Sequence, residues 1–275
     1  MRAFYLLALI LQATTLLAQS PVPKAATEST PPGFDSLIDL SSMQGWRGSV
    51  QDWKVVNGEL IGTADGSLKS NRFIVADIEP VKNFEMRVDV WISSGGNSGL
   101  QYRSVEQPEL GPFVVTGYQC DVVSNRPEYN GMLYEERGRR ILALTGQRVV
   151  VDDAGQPWIT GKHPVSTFAP EQWHRYRVLV EGNHHRHWID DTLTVDVVDL
   201  DATQRRAAGV LGVQVHVGPP MTVRYRNFFL KRLPDDLPMI AAADPAAMIP
   251  DSAEPVEPQG GWKSKPRPTR AAVRK

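Results

Sequence analysis

Residues 84–93 read FEMRVDVWIS, with Phe84, Met86, Val88, Val90 and Ile92 alternating against Glu85, Arg87, Asp89 and Trp91. A period of two is the spacing of a strand whose two faces differ; wound into a helix, the same residues would scatter around the axis. The alternation recurs in WHRYRVLVEG (173–182), HRHWIDD (185–191), TLTVDVV (192–198) and MTVRYRNFFLKRL (221–233). Turn residues punctuate these runs. Asn57-Gly58 inside WKVVNGELIG (53–62) is the strongest short-range hairpin signal, and Asn183 and the Asp190-Asp191 pair mark two more turns. A helical period is nearly absent, since ATQRRAAG (202–209) offers a turn or two at most. Many short strands at this spacing predict an all-β chain folded as a two-sheet antiparallel β-sandwich of the jelly-roll kind.

Composition divides the 275 residues. The opening MRAFYLLALILQATTLLAQS sets Arg2 before a short apolar run and a small residue at Ala18. That pattern predicts a signal peptide over 1–18 and a periplasmic or secreted protein, because the run is too short and interrupted for stable membrane insertion. Residues 19–32 read as a disordered linker, 33–233 as one β-sandwich domain, and 234–275 as a disordered Pro/Ala-rich tail with a basic end. A net charge of −1 argues against a nucleic-acid-binding body. Cys120 is the single cysteine, so no intrachain disulfide forms, and alternation turns it away from Gln119 and Asp121 into the core. The stretch 125–172, irregular and rich in Gly, Pro and charge, is expected to be a lid over a polar sheet face.

That polar face is predicted by three runs, SGLQYRS (98–104), GYQCDVVS (117–124) and GVLGVQVHVG (209–218). In each, two polar side chains stand two residues apart: Gln101 with Arg103, Gln119 with Asp121, Gln214 with His216. Val213, Val215 and Val217 take the other face of the third run and supply the core from behind. Together they offer a carboxylate, an imidazole, a guanidinium and several amides, a set suited to a sugar. Asp121 is the first candidate for a base and His216 the second; a structural, hydrogen-bonded role is the plain alternative for both. Of Glu135 and Glu136, one is expected to point inward and the other to solvent. Arg103, Arg137, Arg139 and Arg140 could polarise a carbonyl or stabilise an enolate. Tyr118, Tyr129, Tyr134 and Trp158 could stack on a pyranose ring, with core packing the alternative for each. His184, His185 and His187 carry no second ligand cluster of clear spacing, so no metal site is assigned; no cofactor is predicted, with a divalent ion left open. Hydrolase-elbow, P-loop, zinc-protease and dinucleotide motifs are absent.

GFDSLIDLSSMQGWRG, WKVVNGELIG, GGNSGLQYRS, GYQCDVVSN, EYNGMLYEERG, EQWHRYRVLVEGNHHRHWIDD and LGVQVHVGPPMTVRYRNFFLKRL, in that order over about residues 33–233, resemble the 3-keto-disaccharide hydrolase domain family. The Asn-Ser-Gly and Gln-x-His segments are the most specific parts. The resemblance implies a concanavalin A-like lectin/glucanase jelly-roll and action on 3-keto-glycosides, whose glycosidic bond breaks by base-catalysed elimination followed by water addition. It casts Asp121 or His216 as base, Arg103 as carbonyl or enolate stabiliser and Glu135 as acid, with Asn97, Gln101, Gln119, Tyr134, Gln214 and Trp158 binding the carbohydrate substrate. One departure stands out: many members carry Glu where this chain has Gln119, and Gln where it has Asp121. The alternative from another class is a non-catalytic, lectin-like carbohydrate-binding module. A retaining glucanase is disfavoured, since no E-x-D-x-x-E run is present.

Overall fold

The computed structural model describes residues 28–39, 41–241 and 248–257. The expected signal peptide, most of the linker and much of the tail lie outside the described residues. Eighteen strands account for about half of the described residues. The first six are β1 (Asp35–Ser36), β2 (Trp46–Gly48), β3 (Trp53–Val56), β4 (Glu59–Ala64), β5 (Arg72–Ala76) and β6 (Phe84–Ile92). The next six are β7 (Asn97–Glu106), β8 (Val115–Val123), β9 (Leu133–Glu136), β10 (Arg140–Ala143), β11 (Gln147–Val151) and β12 (Pro157–Lys162). The last are β13 (His174–Glu181), β14 (His184–Ile189), β15 (Thr192–Asp199), β16 (Val210–Val215), β17 (Met221–Arg232) and β18 (Glu254–Pro255). Residues 202–209, where a helical turn was conceivable, hold turns.

Two sheets form the sandwich. The larger runs β18-β12-β11-β15-β14-β13-β6-β17-β4-β3, with β1 paired to β17; the smaller runs β10-β9-β8-β7-β16-β5-β2. All pairings are antiparallel except β11 with β15. The predicted turns occur where expected: Asn57 (φ 53°) and Gly58 (φ 78°) join β3 to β4, and Asp190 (φ 46°) and Asp191 (φ 65°) join β14 to β15. Both pairs lie in the left-handed region that a two-residue hairpin turn requires at each of its central positions.

The alternation of β6 is realised side by side. Phe84, Met86, Val88, Val90 and Ile92 are at most 1% exposed and pack against Leu100, Tyr102, Tyr118, Cys120 and Val122 of the facing sheet. Cys120 is therefore a core residue, as its parity predicts. On the outer face of the larger sheet, arginines stack on the tryptophans: Arg177 lies 4.2 Å from the centre of Trp188, and Arg226 4.0 Å from that of Trp173. Arg224 stands over both Trp91 and Trp173 at 5.4 and 5.2 Å. Guanidinium stacking lets these rings cover the sheet without joining the core.

Two expectations change. The stretch 125–172 is no lid: β9 and β10 extend the smaller sheet and β11 and β12 the larger. Its charged residues sit at strand ends and turns, which hid short strands of only 4–6 residues. Part of the tail also docks: β18 pairs with β12, and Ile249 and Val256 are buried, with Ile249 against Trp158. Two apolar residues beside an uncovered strand edge are enough to hold a segment whose overall composition is polar.

Candidate active site

The outward face of the smaller sheet carries the polar row. Register places it: Gln101 pairs with Gln119 and Gly99 with Asp121 across β7 and β8, and Gln119 pairs with Tyr134 across β8 and β9. Val213 pairs with Leu100, which sets Gln214 beside Gly99 and hence in line with Asp121. Paired residues of antiparallel strands share a face, so Gln101, Gln119, Asp121, Tyr134 and Gln214 lie on one surface. A hydrogen-bonded relay joins four residues. Ser104 Oγ donates to Gln101 Oε1 at 3.0 Å, Gln101 Nε2 donates to Gln119 Oε1, and Gln119 Nε2 donates to an Asp121 carboxylate oxygen. Each amide orientation follows from the next, because the Asp121 oxygen at the end of the relay accepts from the Gln119 amide.

Gly99 makes room for this relay. A Cβ there would stand 2.3 Å from Gln119 Cδ and 2.6 Å from its Nε2. Gly99→Ala is therefore expected to push the Gln119 amide off Asp121, lowering stability by about 1–3 kcal/mol. A thermal melt beside an activity assay checks this; unchanged Tm and activity would show that the relay tolerates the intrusion.

The carboxyl of Asp121 is only 5% exposed. Burial pushes its pKa up to about 8; the Gln119 hydrogen bond opposes the shift and the charge of Glu136 adds to it. Glu136 sits opposite Gly117 on the same face, and burial raises its carboxyl too, against the pull of Arg137 and Arg140. Burial likewise raises the Tyr134 phenol, beneath the Arg140 guanidinium at 5.3 Å from the ring centre. Gln214 is fully buried, and among the described residues neither its Oε1 nor its Nε2 has a partner, nor does Asn97 Oδ1. Buried amides without partners cost roughly 1–3 kcal/mol each, which a ligand's hydroxyls or carbonyl would recover. His216 lies just past β16, partly buried, with Nδ1–H donating to the Val217 carbonyl oxygen. Burial lowers its pKa, so near pH 7 the ring is neutral and its Nε2 carries a lone pair.

Three expected site residues are elsewhere. Arg103 does not share the face of Gln101: the β7–β8 register shifts between Tyr102 and Val105, and Arg103 has φ 45°. This bulge turns the guanidinium inward, where it donates to the carbonyl oxygens of Lys82 and Arg206 and to Asn83 Oδ1, and Ser104 takes the place beside Gln101. Glu135 pairs with Tyr118, a core residue, and bonds Arg139 at 2.6 Å. Its neighbour Glu136, opposite Gly117, shares the face of Asp121; the signal was available, because Glu136 stands two residues from Tyr134. Trp158 belongs to the other sheet, where its Nε1 donates to Asp152 at 2.7 Å and its ring packs on Val150 and Ile249.

The histidine tract divides by strand parity. His184 bonds Asp196 at 2.6 Å, whereas His185 and His187 are buried on either side of the Tyr102 hydroxyl, at 3.2 and 3.0 Å. Among the described residues, no three His, Cys, Asp or Glu side chains are grouped to hold a metal ion.

Residues 33–231 match the 3-keto-alpha-glucoside-1,2-lyase-like domain. The chain belongs to this family. Membership places it among carbohydrate-active proteins and accords with the resemblance carried by its Asn-Ser-Gly and Gln-x-His segments. Among solved structures, a glycosyl hydrolase candidate from Parabacteroides distasonis is similar at 20% identity, covering 74% of this chain and 95% of its own, with a TM-score of 0.51. A second from the same organism matches at 13% identity over 73% and 99%, again at 0.51. These likenesses concern the sandwich fold. No curated protein matches the chain.

Proposed function

We propose that this member of the family cleaves 3-keto-glycosides by elimination and water addition, acting in the periplasm or outside the cell. The observation that carries the reading is the buried Asp121 carboxyl, pushed to about 8, closing an amide relay on a face that also holds Tyr134, Glu136 and the unpartnered Gln214. A ketone at C3 of a sugar acidifies the proton on C2. The Asp121 carboxylate takes that proton, the electron pair moves into the C3 carbonyl as an enolate, and its collapse expels the C1 oxygen. Water then adds at C1, and the proton returns to C2 from Asp121, restoring the ketone. A base whose pKa lies near the working pH combines adequate ionisation with a strong proton affinity.

The other groups fit the remaining demands. Gln214 Nε2 is a donor without an acceptor, suited to an oxygen that gains charge as the enolate forms. Glu136, whose carboxyl is raised by burial above the usual carboxylate range, replaces Glu135 as the candidate acid for the departing oxygen. His216, neutral and with Nε2 unprotonated, is the alternative base.

The test is incubation with a 3-keto-glucoside and, separately, with its non-oxidised parent, following aglycone release. Turnover of the keto compound alone is expected. Equal turnover of both would remove the elimination route, and binding of either sugar without turnover of any would return the lectin-like reading.

A further inference from the structure

A cleft of about 570 Å³ opens where the β9–β10 turn meets the segment leading to β16; its lining includes Thr116, Glu135, Arg137, Thr203, Arg205 and Arg206. Thr116 stands five residues before Asp121 on β8, which at about 3.4 Å per residue sets that wall of the cleft about 17 Å from the proposed base. Its charge is lopsided. The Glu135 carboxylate already accepts from Arg139 through both the backbone N–H (3.0 Å) and Nε (2.6 Å). Arg137 approaches Glu136 only to 3.9 Å. Among the described residues, the Arg205 guanidinium donates to the Leu200 carbonyl oxygen, at 3.1 Å, and to no carboxylate. Arg206 Nε is buried and has no acceptor among the described residues.

A buried guanidinium N–H without an acceptor is costly, and the acceptor that best repays it is an oxyanion held by more than one nitrogen. The cleft is also larger than a bare ion needs; its volume is within the range of small-molecule sites. We propose that this cleft binds an oxyanion, with Arg206 as the principal contact and Arg205 as its support. The chemistry is shared by the carboxylate of a sugar acid and by free sulfate or phosphate. The cleft borders Glu136 through Arg137, but its proposed contacts, Arg205 and Arg206, take no part in the elimination chemistry.

The experiment is calorimetric titration of the intact protein, in chloride-poor buffer, with galacturonate, sulfate and neutral galactose. Galacturonate is expected to bind and galactose not. Sulfate binding as tightly as galacturonate would assign the cleft to the free ion, and galacturonate alone to a sugar acid; both outcomes uphold an oxyanion site. Arg206→Gln is expected to weaken binding about tenfold, as is Arg205→Gln, while Asp121→Asn leaves it unchanged. Because the Arg206 backbone carbonyl, not its side chain, serves Arg103, Arg206→Gln should keep the wild-type fold, which circular dichroism verifies. Competition by added chloride on the wild-type protein supplies a measurement that needs no variant. No anion binding at millimolar concentration, or binding indifferent to both substitutions and to chloride, overturns the proposal.

Discussion

Asp121→Asn is expected to lower kcat on a 3-keto-glucoside by about 10²–10⁴-fold, the usual contribution of a positioned general base. Asn retains an oxygen to accept from Gln119, so the relay and fold persist while the proton acceptor is lost. In the wild-type protein, kcat/KM should rise with pH through about 8, where the carboxyl ionises; at pH 7 only about a tenth of the molecules carry the base form. Stability should move the opposite way. The unfolded carboxyl titrates near 3.9 and the folded one near 8, so between these values the native state binds the extra proton and stability falls as pH rises. The accumulated loss is on the order of 5 kcal/mol above pH 8. Asp121→Asn should escape it, melting above wild type at pH 9 and near it at pH 4. A variant that keeps its activity would move the base to His216, and equal melting temperatures at pH 9 would show that Asp121 is not held protonated.

The largest stability effect is expected at Arg139. Its side chain is only 7% exposed, and it holds Glu135 Oε2 at 2.6 Å, Asp199 Oδ2 at 2.7 Å and Asp201 Oδ2 at 3.3 Å. Tyr118 donates a further hydrogen bond to Asp199 at 2.6 Å. The three carboxylates are at most 4% exposed, so Arg139→Met would leave them without their shared cation in a poorly solvated interior. Losing one partner of a buried pair costs about 3–5 kcal/mol, against about 0–1 for an exposed pair such as Arg175 with Glu28. Arg139→Lys should recover part of the loss, since one ammonium cannot fork to all three acids. Urea unfolding measures both variants; a loss below about 1 kcal/mol for Arg139→Met would mean that water or neighbouring cations already satisfy the acids.

Much of the site could be read from the chain because strand parity is a local rule. Gln119 and Asp121 share a face whatever the fold, and Cys120 between them must take the other. Glu136 is equally readable from Tyr134, but two neighbouring acids carry no internal label for which of them shares the polar face. Arg103 could not be placed this way: a bulge adds a residue to one strand and reverses the parity beyond it, and the pairing partner that creates it is remote in sequence. Trp158 failed for a related reason. Its strand is short, and only the tertiary arrangement decides which sheet a short strand joins.

The sequence by itself determined the long strands, the Asn57-Gly58 and Asp190-Asp191 turns, the core parity of β6 and the existence of a polar face, because each depends on side chains within a few residues of one another. The tertiary structure decided which carboxylates meet, which guanidinium is spent on backbone carbonyls and which amide is left without a partner. Those outcomes depend on the register between strands distant in the chain, and on the burial that only the assembled sheets produce.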